Sequence, residues 1–144
     1  MRLSTRSRYA VRAMIDLALY EAEGPVQRQD IARRQDLSIH YLEQLLVALR
    51  RAGLVEAIRG PGGGYRLAQP SDRIRVSAII LAVEGPIALA PCLEQPAQPG
   101  CPRVPECAAH RLWRDVARQI EAALNAVTLA DLCQQARELA PPPA

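Results

Sequence analysis

Residues 26–55 read VQRQDIARRQDLSIHYLEQLLVALRRAGLV, and this stretch decides the fold. Residues 27–35 spell a short helix with Ile31 and Ala32 facing inward. Asp36 and Leu37 make a turn, and Ser38 follows as a good N-cap for a second helix. On that helix Leu42, Leu45, Leu46 and Leu49 repeat at i, i+3, i+4, i+7. Gly53 supplies the C-terminal stop. Helix, tight turn, capped helix is the helix-turn-helix layout.

Working outward, residues 54–68 read LVEAIRGPGGGYRLA. Residues 54–59 and 65–68 are strand-like, and the run from Gly60 to Gly64 joins them as a hairpin loop. A hairpin directly after a helix-turn-helix makes a winged helix. The glycine run lacks the Lys-Ser/Thr of a nucleotide-binding loop, and no helix follows it, which argues against phosphate cradling of that kind. Upstream, Ser4 or Thr5 caps a helix on which Tyr9, Ala10, Ala13, Met14, Leu17 and Ala18 recur, ended by Gly24-Pro25. Downstream, residues 76–84 form a helix stopped by Gly85-Pro86. Six of the twelve prolines then fall between Pro86 and Pro105. A long helix starts near Val104 or Pro105, and Thr128 caps a shorter one over 129–139. The expected class is mainly α with a small β-hairpin. A winged helix-turn-helix DNA-binding domain (1–75) leads through a connecting helix and loop (76–103) to a dimerisation helix and terminal helix (104–140). A disordered tail (141–144) closes the chain.

Composition agrees. Apolar residues make up 49% of the 144, and there is no phenylalanine, so Leu, Ile, Val and Ala must build the core. That favours helices over a large sheet. Residues 1–75 carry 13 arginines against 8 acids, and residues 76–144 carry 5 against 7. The split points to a polyanion-binding first half. The N-terminus is broken by Arg6, Arg8, Arg12 and Asp16, so it reads neither as a signal peptide nor as a membrane span, and a cytoplasmic protein is expected.

The recognition-helix positions off the leucine stripe are Ser38, His40, Tyr41, Glu43 and Gln44, at the end that enters a major groove. Gln44 suits adenine, and Glu43 can accept from cytosine N4. Arg2, Arg6, Arg8, Arg28, Arg33, Arg50 and Arg51 are candidates for phosphate contacts. In the wing, Gly62 and Gly63 would let the backbone approach phosphate, with Arg59 entering a minor groove. On the long helix, Leu112, Trp113, Val116, Ile120 and Leu124 form an apolar stripe larger than one winged helix covers. A second copy would cover it, and a two-fold homodimer reads palindromic double-stranded DNA.

Cys92, Cys101, Cys107 and His110 crowd into nineteen residues of the proline-rich segment. Cys107 and His110 stand i, i+3 and face the same way. In a cytosolic chain a disulfide is disfavoured. Three thiols and an imidazole suit either zinc or an iron–sulfur cluster, and spacing alone does not separate the two. Cys133 reads as a buried thiol. An enzyme is not expected: there is no C-x-x-C and no base beside a nucleophile.

The segments MRLSTRSRYAVRAMIDLAL, LSIHYLEQLLVALRRAGLV, RGPGGGYRL and HRLWRDV together resemble a family of winged-helix iron and redox regulators. The resemblance spans roughly residues 1–135. It implies a homodimeric repressor of iron–sulfur cluster assembly genes. Its [2Fe–2S] cluster would sit on Cys92, Cys101, Cys107 and His110, donated by the assembly machinery. It also implies that Glu43 separates two classes of DNA site and that Arg59 serves in the minor groove. Two departures stand out: Cys92 and Cys101 lie further apart than in close relatives, and His40 replaces a small polar residue. Rival readings are a nitric-oxide or redox sensor of the same fold with a [4Fe–4S] cluster, and a zinc-stabilised DNA-binding module without sensing.

Overall fold

The computed structural model describes residues 3–94 and 100–141. Arg2, the span 95–99 and residues 142–144 of the expected tail lie outside the described residues.

Helix α1 (Thr5–Tyr20) begins at Ser4, whose Oγ accepts the Ser7 N–H at 3.3 Å. It buries Ala10, Ala13, Met14 and Leu17. A single 3-10 turn (Glu21–Glu23) ends it short of Pro25. Helix α2 (Arg28–Gln35) is stopped by Asp36, the one non-glycine residue of the described chain in the left-handed region (φ 54°). A short carboxamide or carboxylate side chain tolerates that conformation best. Ser38 then caps α3 (Ile39–Arg51), its Oγ accepting the Tyr41 N–H at 3.1 Å. Leu42, Leu45, Leu46 and Leu49 are all buried, as their spacing requires.

Strands β1 (Val55–Ile58) and β2 (Gly64–Leu67) pair antiparallel, with Val55 opposite Leu67 and Ile58 opposite Gly64. Val26 and Tyr65 exchange backbone hydrogen bonds of 2.8 Å in each direction, which ties the wing to the chain entering α2. The loop glycines are required by the hairpin itself. A Cβ on Gly63 would lie 2.2 Å from the Ile58 carbonyl oxygen, and one on Gly64 would lie 2.5 Å from that of Val26.

Helix α4 (Val76–Glu84) leads to the proline segment, which contains only the single turns Pro91–Leu93 and Val104–Glu106 among its described residues. Helix α5 (Ala108–Asn125) starts later than the sequence reading placed it. The residues near Val104 and Pro105 instead form a separate turn, and Cys107 in extended conformation (φ −90°, ψ 108°) breaks it from the helix. Helix α6 (Leu129–Leu139) opens with a full capping box between Thr128 and Asp131.

One core serves the whole fold. Met14, Leu17, Ile31, Leu42, Leu49, Ile74 and Ile79 share it with Leu129 and Cys133 of α6. Helices α4 and α6 pack on α1, and α5 packs on α4. The Val76 N–H donates to Val127 and the Leu129 N–H to Ile74, stitching the two halves together. The core therefore crosses residue 75, and the terminal helix completes the DNA-binding half rather than standing apart from it.

Candidate functional site

The exposed face of α3 carries two side-chain couples at its N-terminal end. Arg28, from the first turn of α2, forms an ion pair with the Glu43 carboxylate at 3.0 Å, with both side chains partly open to solvent. Gln44 and His40, one turn apart on α3, meet at 3.1 Å between their Nε2 atoms. The sequence reading assigned Arg28 to phosphate and Glu43 to a base; here the two are partners. The Ser38 hydroxyl is occupied as the α3 cap. Tyr41 requires a correction. It was expected on the DNA face, but its ring packs edge-on against Tyr9, with centroids 6.0 Å apart, and its hydroxyl is enclosed without a partner. Position 41 stands one turn before the buried Leu45 on the helix wheel, and the ring meets α1 at Tyr9.

The α1–α2 pair beneath is held by Asp16. This buried carboxylate accepts two hydrogen bonds from Arg34, at 2.9 and 2.7 Å, and a third from Gln35 at 2.9 Å. Arg34 also stacks on Tyr20, its guanidinium carbon 3.8 Å from the ring centroid. The hydrogen bonds it donates to Asp16 raise the Arg34 pKa above its ordinary value. Arg12 adds two 3.0 Å bonds to Gln35. None of these roles was read from the sequence, since the partners are 14 to 23 residues apart.

Arg59 is exposed at the base of the wing, and Gly62 at its tip. Between the wing and the start of α2 lies an open groove of about 460 Å³, lined by Gln27, Arg28, Gly62 and Tyr65 among others. Arg50 is exposed near the end of α3. Arg28 thus stands between α3, where it pairs with Glu43, and the groove beside the wing.

On α5 only Ala117 is buried. Leu112 and Trp113 are 52% and 42% exposed, while Val116, Ile120 and Leu124 are half-buried. The first two residues of the stripe are thus about half open to solvent, and the other three are more covered.

The cysteine site gathers at the N-terminus of α5. Cys107 is the N-cap, its Sγ accepting the His110 N–H at 3.3 Å. The Nδ1 of His110 lies 3.3 Å from Cys92 Sγ. Cys92, Cys107 and His110 are half-buried, whereas Cys101 is exposed and outside this contact set. Among the described residues no three His, Cys, Asp or Glu side chains are drawn close enough to hold a metal ion. The donor set suits a thiophilic centre, and two thiols with an imidazole already share one neighbourhood. Cys133 sits in the core, where burial pushes its thiol pKa up and keeps it protonated.

A capped helix-turn-helix followed by a glycine wing, with exposed arginines on the same face, defines a winged-helix DNA-binding transcription regulator. Residues 3–135 match the Rrf2 iron-dependent transcriptional regulators, and the chain belongs to that family. It is similar to the HTH-type transcriptional regulator IscR of Erwinia tasmaniensis, with 47% identity over 132 residues, 92% of this chain and 78% of that one. Among solved structures, T. potens IscR superposes with a TM-score of 0.80 at 38% identity, covering 100% of this chain and 94% of that one. CymR, the global cysteine regulator of B. subtilis, gives a TM-score of 0.75 at 39% identity, covering 94% and 98%. The protein is accordingly a regulator and not an enzyme. Among the described residues no helix is long and apolar enough to cross a membrane.

Proposed function

We propose that this protein is a homodimeric repressor of iron–sulfur cluster assembly genes. Its selectivity for palindromic operators would be set by a [2Fe–2S] cluster received from the assembly machinery. The observation that carries the reading is that the His110 ring touches Cys92 Sγ at 3.3 Å, while Cys107 caps the same first turn of α5. Cys92, Cys107, His110 and Cys101 would hold the cluster, which supplies redox- and iron-dependent occupancy. Cys101 must approach from the far side of the proline segment, and loop closure over so few residues costs little.

The rest follows from this chain's own residues. Leu112, Trp113, Val116, Ile120 and Leu124 pack against the same helix of a second copy, setting the distance between two recognition helices. Cys107 caps α5, so ligating it fixes that helix start. Arg28, Ser38, His40, Glu43 and Gln44 face the major groove, with Arg50 on phosphate and Arg59 and Gly62 at the wing. Arg28 holds the Glu43 carboxylate and offsets its repulsion of the DNA backbone. A ligand alters DNA choice only through its different affinity for two protein states. The two states here differ in whether Glu43 confronts the operator or is turned toward Arg28.

The test is the visible absorption of protein purified without oxygen, with iron, sulfide and zinc assayed on the same sample. About two irons and two sulfides per chain are expected for a [2Fe–2S] centre. Colour should vanish in Cys107→Ala and His110→Ala. A colourless protein carrying one zinc per chain, unchanged by anaerobic reconstitution, would retain the DNA-binding half and remove the sensor.

A further inference from the structure

We infer that Val47 is a specificity-determining residue of α3: its methyl groups meet the C5-methyl of a thymine in the major groove, beside the base edges that Glu43 and Gln44 face. The inference rests on the reading of α3 as the recognition helix. It adds an apolar contact to a face whose other readers are polar.

The argument begins with exposure. Leu42, Leu45, Leu46 and Leu49 are at most 2% exposed, whereas Val47 on the same helix is 48% exposed. Successive residues step by about 100° around an α-helix. The four leucines fill the side toward the core. Val47 falls on the opposite side, about 40° from Glu43 and about 60° from Gln44, in the sector between them. It stands i+4 from Glu43 and i+3 from Gln44, so the Cβ atoms are about 5–6 Å apart. Arg50 and Arg51, both exposed, follow in the next turn.

A lone apolar side chain on a surface is ordinary. Two things set Val47 apart. A β-branched residue is a poor choice for an open mid-helix position, where Arg, Gln or Glu supports the helix better. And Val47 occupies the centre of the side that faces the groove. Ile39, the other open apolar residue of α3, is the first residue of the helix and lies beyond Glu43 from Gln44.

The groove supplies the matching group. Thymine projects a methyl from C5 into the major groove, and cytosine does not. Bases along a strand are about 3.4 Å apart, so a side chain about 5–6 Å from the polar readers meets a base roughly one or two steps from theirs. Valine offers no hydrogen bond, so what it reads is the methyl itself. 5-Methylcytosine presents the same group, and the experiment separates the two sources.

Sites are first selected from a randomised duplex pool with the full-length protein. The consensus should hold a thymine about one or two positions from the base that Glu43→Ala ceases to discriminate. Each thymine of one half-site is then replaced in turn by deoxyuridine, which removes only the C5-methyl, and affinity is read by fluorescence anisotropy. One replacement should weaken wild type roughly fourfold, the worth of one buried methyl. Val47→Ser should lose about as much on the unmodified site and show no further loss at that replacement, with the other positions behaving as in wild type. Val47→Thr keeps one methyl on the same branched frame and should retain part of the effect. A Val47→Ser protein that still pays the full deoxyuridine penalty would make Val47 a support of the helix and overturn the inference. So would a consensus in which no single replacement matters. Duplexes carrying cytosine or 5-methylcytosine at that place complete the set: thymine bound more tightly than both is expected, and tightest binding to 5-methylcytosine overturns the thymine assignment. A pool yielding no consensus with wild type would overturn the recognition-helix reading, and this inference with it.

Discussion

The helix-turn-helix and the cysteine segment are built on opposite terms. In the first, Ser4 and Ser38 cap their helices, four leucines of α3 are buried, and Asp16 clamps α1 to α2. In the second, from Gly85 to Cys107, no described residue is buried and the only regular structure is two single turns. The reader draws its shape from its own core. The cysteine segment contributes nothing to that core, so its ligation state can change without unfolding the reader. Helix α5, which Cys107 caps, packs on α4, and α4 packs on α1 and α3, so the two regions are joined through these helices.

The contrast can be broken first at the core. Leu49→Ala should destabilise the protein by about 2–5 kcal/mol, the usual range for a buried leucine, read as a lowered midpoint in urea. Cys101→Ala, at an exposed position, should leave the stability of cluster-free protein within about 0.5 kcal/mol. A large loss for Cys101→Ala would mean that the segment is part of the scaffold after all. Next comes the clamp: Arg34→Ala strands the buried Asp16 carboxylate and should cost about 2 kcal/mol. That is below the usual range for a broken buried pair, because Arg34 is partly solvated. The same urea titration measures it.

At the DNA face, Glu43→Ala should let cluster-free protein bind sites that otherwise require the cluster, with a gain of roughly tenfold. A gel-shift comparison of the two site classes with unaltered selectivity would sink that expectation. The smallest effect is at α6. Thr128→Ala should cost about 1 kcal/mol, as for other lost caps. Hydrogen bonds from the Thr128 backbone and then its side chain hold the Asp131 pKa below the ordinary carboxylate value. Its stabilisation is therefore present above the unfolded-state pKa and is lost as pH falls through the lower folded-state value. Thermal melts between neutral and strongly acid pH should show wild type losing its advantage over Asp131→Asn in acid.

Much of this was legible because it is local. Ser38, the leucine spacing and the hairpin glycines announce the winged helix within one stretch, and Thr128 announces α6. What escaped depends on tertiary placement. Nothing local says that Arg28 meets Glu43, fifteen positions on, or that Tyr41 turns inward to Tyr9. Asp16 entered the sequence reading only as a charge breaking an apolar run, and the approach of α2 makes it a buried acceptor. Nor is it local that Gly63 and Gly64 lie against the backbone of Ile58 and Val26, leaving no room for a Cβ. At the cysteine site the sequence places four candidate ligands within nineteen residues, and the fold puts the His110 ring against Cys92 and Cys107 at the cap of the same helix.

The central claim is that the ligation state at the start of α5 changes what α3 reads. The most direct measurement is binding-site selection from one randomised duplex pool, run anaerobically with cluster-loaded wild type and with Cys107→Ala. The account predicts two overlapping but distinct consensus sequences, the loaded protein tolerating sites that the variant rejects at the position facing Glu43. Identical consensus sequences and affinities from the two proteins would contradict it.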